Sequence, residues 1–76
     1  MDSGHLYDLT RELRRRALDG SLASRFPGRS ESIHAALLEG RRILFAPDDE
    51  ELYVEAPLDR VFLDESTGRE IGARRL

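Results

Sequence analysis

At Gly40 the spacing of apolar residues changes from steps of three and four to strict alternation, and this break dictates helices followed by strands. Upstream of it, Leu6, Leu9, Leu13 and Ala17 form one apolar stripe, predicting a helix over residues 4–18 with Ser3 as its cap. Asp19-Gly20 stops that helix, because glycine suits the left-handed residue that follows a helix. Residues 21–28 read as a connector anchored by Leu22 and Phe26, with Pro27-Gly28 as its turn. Ser30 is then expected to cap a second helix over 31–39, whose inward face is Ile33, Ala36 and Leu37.

Downstream, alternation predicts strands over 41–46 and 51–56 around a turn at Pro47-Asp48-Asp49-Glu50. A four-residue loop pairs Phe45 with Leu52 and Ile43 with Val54 on one face, and sets Arg42 across from Glu55. A turn at Pro57-Leu58-Asp59-Arg60 then gives a third strand over 61–65, pairing Ala56 with Val61 and Val54 with Leu63. A hairpin loop with Gly68 in the left-handed position leads to a last strand over 69–74, pairing Leu63 with Ile71 and Phe62 with Gly72.

The expected fold is one α+β domain over 1–76: two N-terminal helices packed on one face of a three- to four-stranded antiparallel β-meander, ordered ααββββ. Its core would take Leu6, Leu9, Leu13, Phe26, Ile33 and Leu37 from the helical half. The strands would add Ile43, Phe45, Leu52, Val54, Val61, Leu63 and Ile71. A domain of 76 residues buries only about 60% of the surface its unfolded chain exposes. With no cysteine there is no disulfide to compensate, which leaves tight packing or association.

The basic residues are all arginine, twelve of them, so Schiff-base chemistry and a phosphate-loop lysine are excluded. Each positive charge is instead a planar fork suited to carboxylate or phosphate. The net charge of −3 is unevenly spread: residues 1–46 carry eight arginines against six acids, and residues 47–76 four against nine. No apolar run reaches the length of a membrane span or a secretory core, and Asp2 and His5 make no basic signal region; the expectation is a cytoplasmic protein that binds no membrane.

Catalytic patterns are missing from the sequence. His5 and His34 have no metal-ligand spacing, and Ser3 and Ser30 serve as helix caps. There is no nucleophile elbow and no glycine-rich phosphate loop. The reading is a non-enzyme without cofactor or metal.

Three constellations remain for binding. In the expected register Leu44, Tyr53 and Phe62 face away from the helices on successive strands, with Arg42 and Glu55 at their margin. Such an apolar cluster marks an interface unless a long loop or the C-terminus folds over it, and in a chain this short the reading is an interface. Asp48, Asp49, Glu50 and Glu51 form an acidic tip that lacks the spacing of a calcium loop; it is either a solvated hairpin tip or a contact for an arginine-rich partner surface. Arg11, Arg14, Arg15 and Arg16 form the densest basic cluster; either they pair with Asp8 and Glu12 along the helix, or they contact phosphate or an acidic protein.

The leading expectation is a protein-binding module, acting as inhibitor, adaptor or regulator, through the Leu44/Tyr53/Phe62 face, the acidic turns or both, with homodimerisation as a variant. In size, acidity and absence of cysteine the chain is similar in kind to phage-encoded inhibitors of host defence, anti-CRISPR proteins among them, whose acidic side chains can imitate nucleic-acid phosphates. One alternative is a winged-helix-like nucleic-acid-binding regulator using the arginine-rich first helix, although 31–39 contains no arginine, asparagine or glutamine to read bases. The other is a structural or assembly subunit.

Overall fold

A computed structural model describes residues 6–76. The order is β1 (Tyr7–Asp8), α1 (Thr10–Asp19), α2 (Leu22–Arg25), α3 (Ser30–Leu38), β2 (Ile43–Ala46), β3 (Glu51–Leu63) and β4 (Glu70–Arg75). Among the described residues the protein is thus α+β, with three helices and a four-stranded antiparallel sheet in the order β1-β2-β3-β4.

The first helix begins later than its apolar spacing predicts. Tyr7 and Asp8 are drawn into the sheet opposite Phe45 and Leu44. Asp8 Oδ1 then accepts the Thr10 N–H at 2.9 Å and the Thr10 hydroxyl at 2.6 Å, a local turn that competes with helix over the same residues. Thr10 Oγ1 accepts the Ile43 N–H at 2.9 Å, and Leu9 N–H donates to the Ile43 carbonyl at 2.9 Å. The start of α1 is therefore fastened to the start of β2. The expected cap at Ser3 lies outside the described residues. Gly20, with φ +83°, ends α1 as expected. Ser30 is the first residue of α3 rather than its cap; Arg29 holds that position without a side-chain bond.

Between β2 and the first half of β3 the expected register holds: Ile43 pairs with Val54 and Phe45 with Leu52. The expected turn at 57–60 does not form. β3 continues to Leu63, and residues 56–59 are extruded as a bulge, so that Glu55 and Arg60 both face Ala73. Pro57, which lacks an N–H to give to the ladder, falls inside this irregular stretch. The last hairpin also differs by one residue: Phe62 pairs with Ile71, and Leu63 with Glu70. The Asp64 N–H to Arg69 carbonyl bond closes its loop at 2.7 Å, with Gly68 left-handed at φ +71° as expected.

A one-residue slip inverts every side chain on a strand. Ile71 of β4, expected against the helices, accordingly joins Phe62 on the opposite face. Val61 and Leu63, expected in the core, are exposed, while Phe62 is buried. The sheet has apolar side chains packed on both faces. On one, Leu13, Leu22, Ile33 and Ala36 of the helices meet Ile43, Leu52 and Val54. On the other, Leu6, Leu44, Ala46, Tyr53, Phe62, Ile71 and Ala73 form a second cluster.

Candidate functional site

The second cluster overturns the expected interface. Leu44, Tyr53 and Phe62 do face away from the helices, but they are 2%, 1% and 2% exposed and offer no free surface. The reason is the bulge. Tyr53 and Phe62 are nine residues apart on β3, but the bulge absorbs five of them, and they face Arg75 and Ile71 of β4, about 13 Å apart along that strand. Their ring centroids nevertheless lie 4.9 Å apart, edge to face. The strand is therefore sharply bent, and the far half of the β3–β4 hairpin folds back over the outer face. Arg60 closes the edge of this cluster, its guanidinium 5.2 Å from the Tyr53 ring centroid and 4.9 Å from that of Phe62.

The acidic tip is half consumed by the same closure. Tyr53 Oη donates to Asp49 Oδ2 at 2.5 Å, and Arg60 Nη1 donates to the same oxygen at 2.6 Å and also to Tyr53 Oη. The Tyr53 hydroxyl, followed by Arg60, lowers the Asp49 pKa from the ordinary carboxylate value. Burial, followed by Asp49, pushes that of Tyr53 up. Glu51 Oε1 lies 2.9 Å from Arg29 Nη1. Asp48 and Glu50 are exposed, so alternate carboxylates of the tip point inward and outward.

A second polar knot was only partly legible in the sequence. Arg42 bonds Glu55 at 3.1 Å, the cross-strand pair expected from register. It also donates to Asp64 Oδ2 at 3.0 Å and lies 3.7 Å from Asp8 Oδ2. One guanidinium thus ties together β1, β2 and both halves of the bent β3. The Asp64 pKa is held at about 2, first by Arg42 and then by the Ser66 N–H and hydroxyl. Asp64 is far from Arg42 in sequence, and only the bend brings the two together.

The arginines of α1 divide in two. Arg16 is half-buried, pairs with Glu12 at 3.3 Å and reaches Ser21 Oγ at 3.5 Å. Arg11, Arg14 and Arg15 are exposed and have no hydrogen-bond or ion-pair partner among the described residues. The pairing open to them in the sequence is not made, because Asp8 is occupied by Thr10 and Arg42, and Glu12 by Arg16. Arg11, Arg14, Arg15 and Leu18 recur at helical spacing and make one stripe along α1, and Leu18 at its end is 85% exposed. Beside the stripe lies a hollow of about 520 Å³, lined by Asp8, Thr10, Arg11, Arg14 and Arg42.

Neither a family model nor a curated protein nor a solved structure matches this chain. Function therefore rests on its own surface. Among the described residues no group of histidine and carboxylate side chains is arranged to hold a metal ion, and no helix is long and apolar enough to cross a membrane. His34 is exposed on α3, and His5 lies outside the described residues.

Proposed function

We propose that the chain is a small non-catalytic protein-binding module, acting as an inhibitor, adaptor or regulator of its partner, and that it binds through the exposed face of α1. The observation that carries this reading is the stripe of Arg11, Arg14 and Arg15, which make no hydrogen bond or ion pair among the described residues, running into the bare side chain of Leu18. Arginine forks beside exposed apolar surface are what protein interfaces enrich. The acidic-mimic version of this function draws less support, since Asp49 and Glu51 are engaged inside the molecule.

The test is site-specific cross-linking. A photoreactive amino acid placed at Arg15 is expected to capture a protein that the same group placed at Val61 does not, and R11E/R14E/R15E should release that protein once it is purified. Capture of nucleic acid instead, or of the same proteins from both positions, would remove the reading.

A second reading, nucleic-acid binding, is favoured by those same free arginines. Against it, α3 offers no arginine, asparagine or glutamine for base edges, and the chain's net charge is −3. Retention on heparin at low salt, released as salt rises and lost in R11E/R14E/R15E, would favour it.

A further inference from the structure

Resting on the protein-binding reading, we infer that the α1 face docks an acidic helical segment of its partner, with carboxylates facing Arg11, Arg14 and Arg15 and an apolar side chain covering Leu18.

The geometry sets the ligand's spacing. From Arg11 to Leu18 the helix rises about 10 Å, two turns. The three guanidiniums occupy the first part of that length, and each can take a carboxylate through two parallel N–H donors. A partner helix laid along α1 would present carboxylates and one apolar residue over the same two turns. Complementary charge at this face supplies orientation and encounter rate, and burial of Leu18 adds apolar contact.

The neighbours of the stripe select protein over nucleic acid. Leu18 continues the line of arginines, where a duplex would offer it only sugar and phosphate. Asp19 follows it, exposed, with its carboxylate accepting the Ser21 N–H at 2.9 Å, and so places negative charge where a polyanion would continue. Glu12 lies within the same two turns, its charge shared with Arg16. Three cations without an ion pair among the described residues, on a chain of net charge −3, make few phosphate contacts, whereas a short acidic helix needs no more.

The probe is a labelled helical peptide with glutamates and one leucine at the spacing of Arg11, Arg14, Arg15 and Leu18, titrated by fluorescence anisotropy at low and high salt. Saturable binding that weakens with salt is expected, with a loss of about tenfold or more in R11E/R14E/R15E. Leu18→Ser should weaken binding of this peptide but not of a version whose leucine is serine, the coupling expected of a direct contact. These positions are exposed, so the helical circular dichroism of each variant should match that of the parent.

No binding, or binding indifferent to the charge reversal, overturns the inference; cross-linking from Arg15 to a protein would then still uphold the broader reading. Tighter, arginine-dependent binding of a DNA duplex of equal charge overturns both. A parent chain that is dimeric by light scattering and becomes monomeric in R11E/R14E/R15E assigns the face to a second copy, and overturns the acidic-helix assignment.

Discussion

Leu58 lies directly over Gly72, filling the space that a side chain at Gly72 would need. A Cβ at that position would meet the Leu58 side chain and come within 2.8 Å of the Ala56 carbonyl oxygen. The contact joins the bulge of β3 to the strand opposite it, where the hairpin turns back on itself. Gly72→Ala is therefore expected to force the bulge outward and cost about 1–3 kcal/mol, the usual penalty of overpacking. In a domain this small that lowers the melting temperature by roughly 4–8 °C for each kcal/mol. Adding Leu58→Ala should recover part of the loss, leaving the backbone clash with Ala56. A Gly72→Ala protein that melts like the parent would show that the bulge is not tightly fixed.

Acid should loosen the knot at Arg42. The Asp64 pKa is about 2, below the ordinary 3.8, so the folded state holds its proton less tightly than the unfolded chain does. The stabilisation is complete above the unfolded value and is lost as pH falls from 3.8 through 2. Asp49 is depressed in the same sense and contributes in the acid range. Thermal melts across this window should show the parent losing stability with falling pH. Asp64→Asn should be less stable at neutral pH and show a flatter acid limb. Parallel curves for the two proteins would mean that Asp64 and Arg42 are not coupled.

Thr10 joins the helices to the sheet through one oxygen. Its Oγ1 accepts the Ile43 N–H and its hydroxyl proton goes to Asp8. Thr10→Val keeps the shape and removes the acceptor, leaving a part-buried N–H without a side-chain partner. The expected cost is about 1–3 kcal/mol, with faster amide exchange at Ile43. Thr10→Ser, which keeps the oxygen, should retain the slow exchange. Equal exchange in both variants would argue that the Thr10 bond carries little of the protection.

The sequence made the break at Gly40, the glycine stops and the first hairpin legible because each is written within a few residues. Alternation on both sides of a short acidic turn fixes the pairing of Ile43 with Val54 without help from the rest of the chain. The errors arise where a distant segment decides. Pro57-Leu58-Asp59-Arg60 has the composition of a turn, yet β4 binds the backbone before and after it, and the residues between are extruded instead. The last register slips by one at the Asp64–Arg69 loop, Val61 and Leu63 are exposed, and Phe62 comes to lie against Tyr53. The binding surface shifted with it. Alternation places the apolar trio on its correct side of the sheet but carries no sign of its burial, because the chain's own hairpin packs against it. The free arginines were visible in sequence, but Asp8 and Glu12 stood at pairing distance, and only the structure shows both committed elsewhere.

The bent hairpin makes its strongest demand at the two rings it brings together. On an exposed face, changing Tyr53 and Phe62 to serine would leave the fold intact. With both residues almost fully buried and in contact, each change removes a large side chain from a packed cluster and costs about 3–5 kcal/mol. The pair need not add fully, since the rings share one site. Domains of this size have about 4–11 kcal/mol of stability in all, from the usual 0.05–0.15 per residue, so the double variant should be largely unfolded at 25 °C. Tyr53→Ser should cost more than its ring alone suggests, because Asp49 loses the hydroxyl and Arg60 loses a surface to lie on. Near-ultraviolet circular dichroism and a denaturant titration decide the matter. A double variant with a cooperative transition close to the parent's would show the rings to be peripheral, and with them the folding-back of β3.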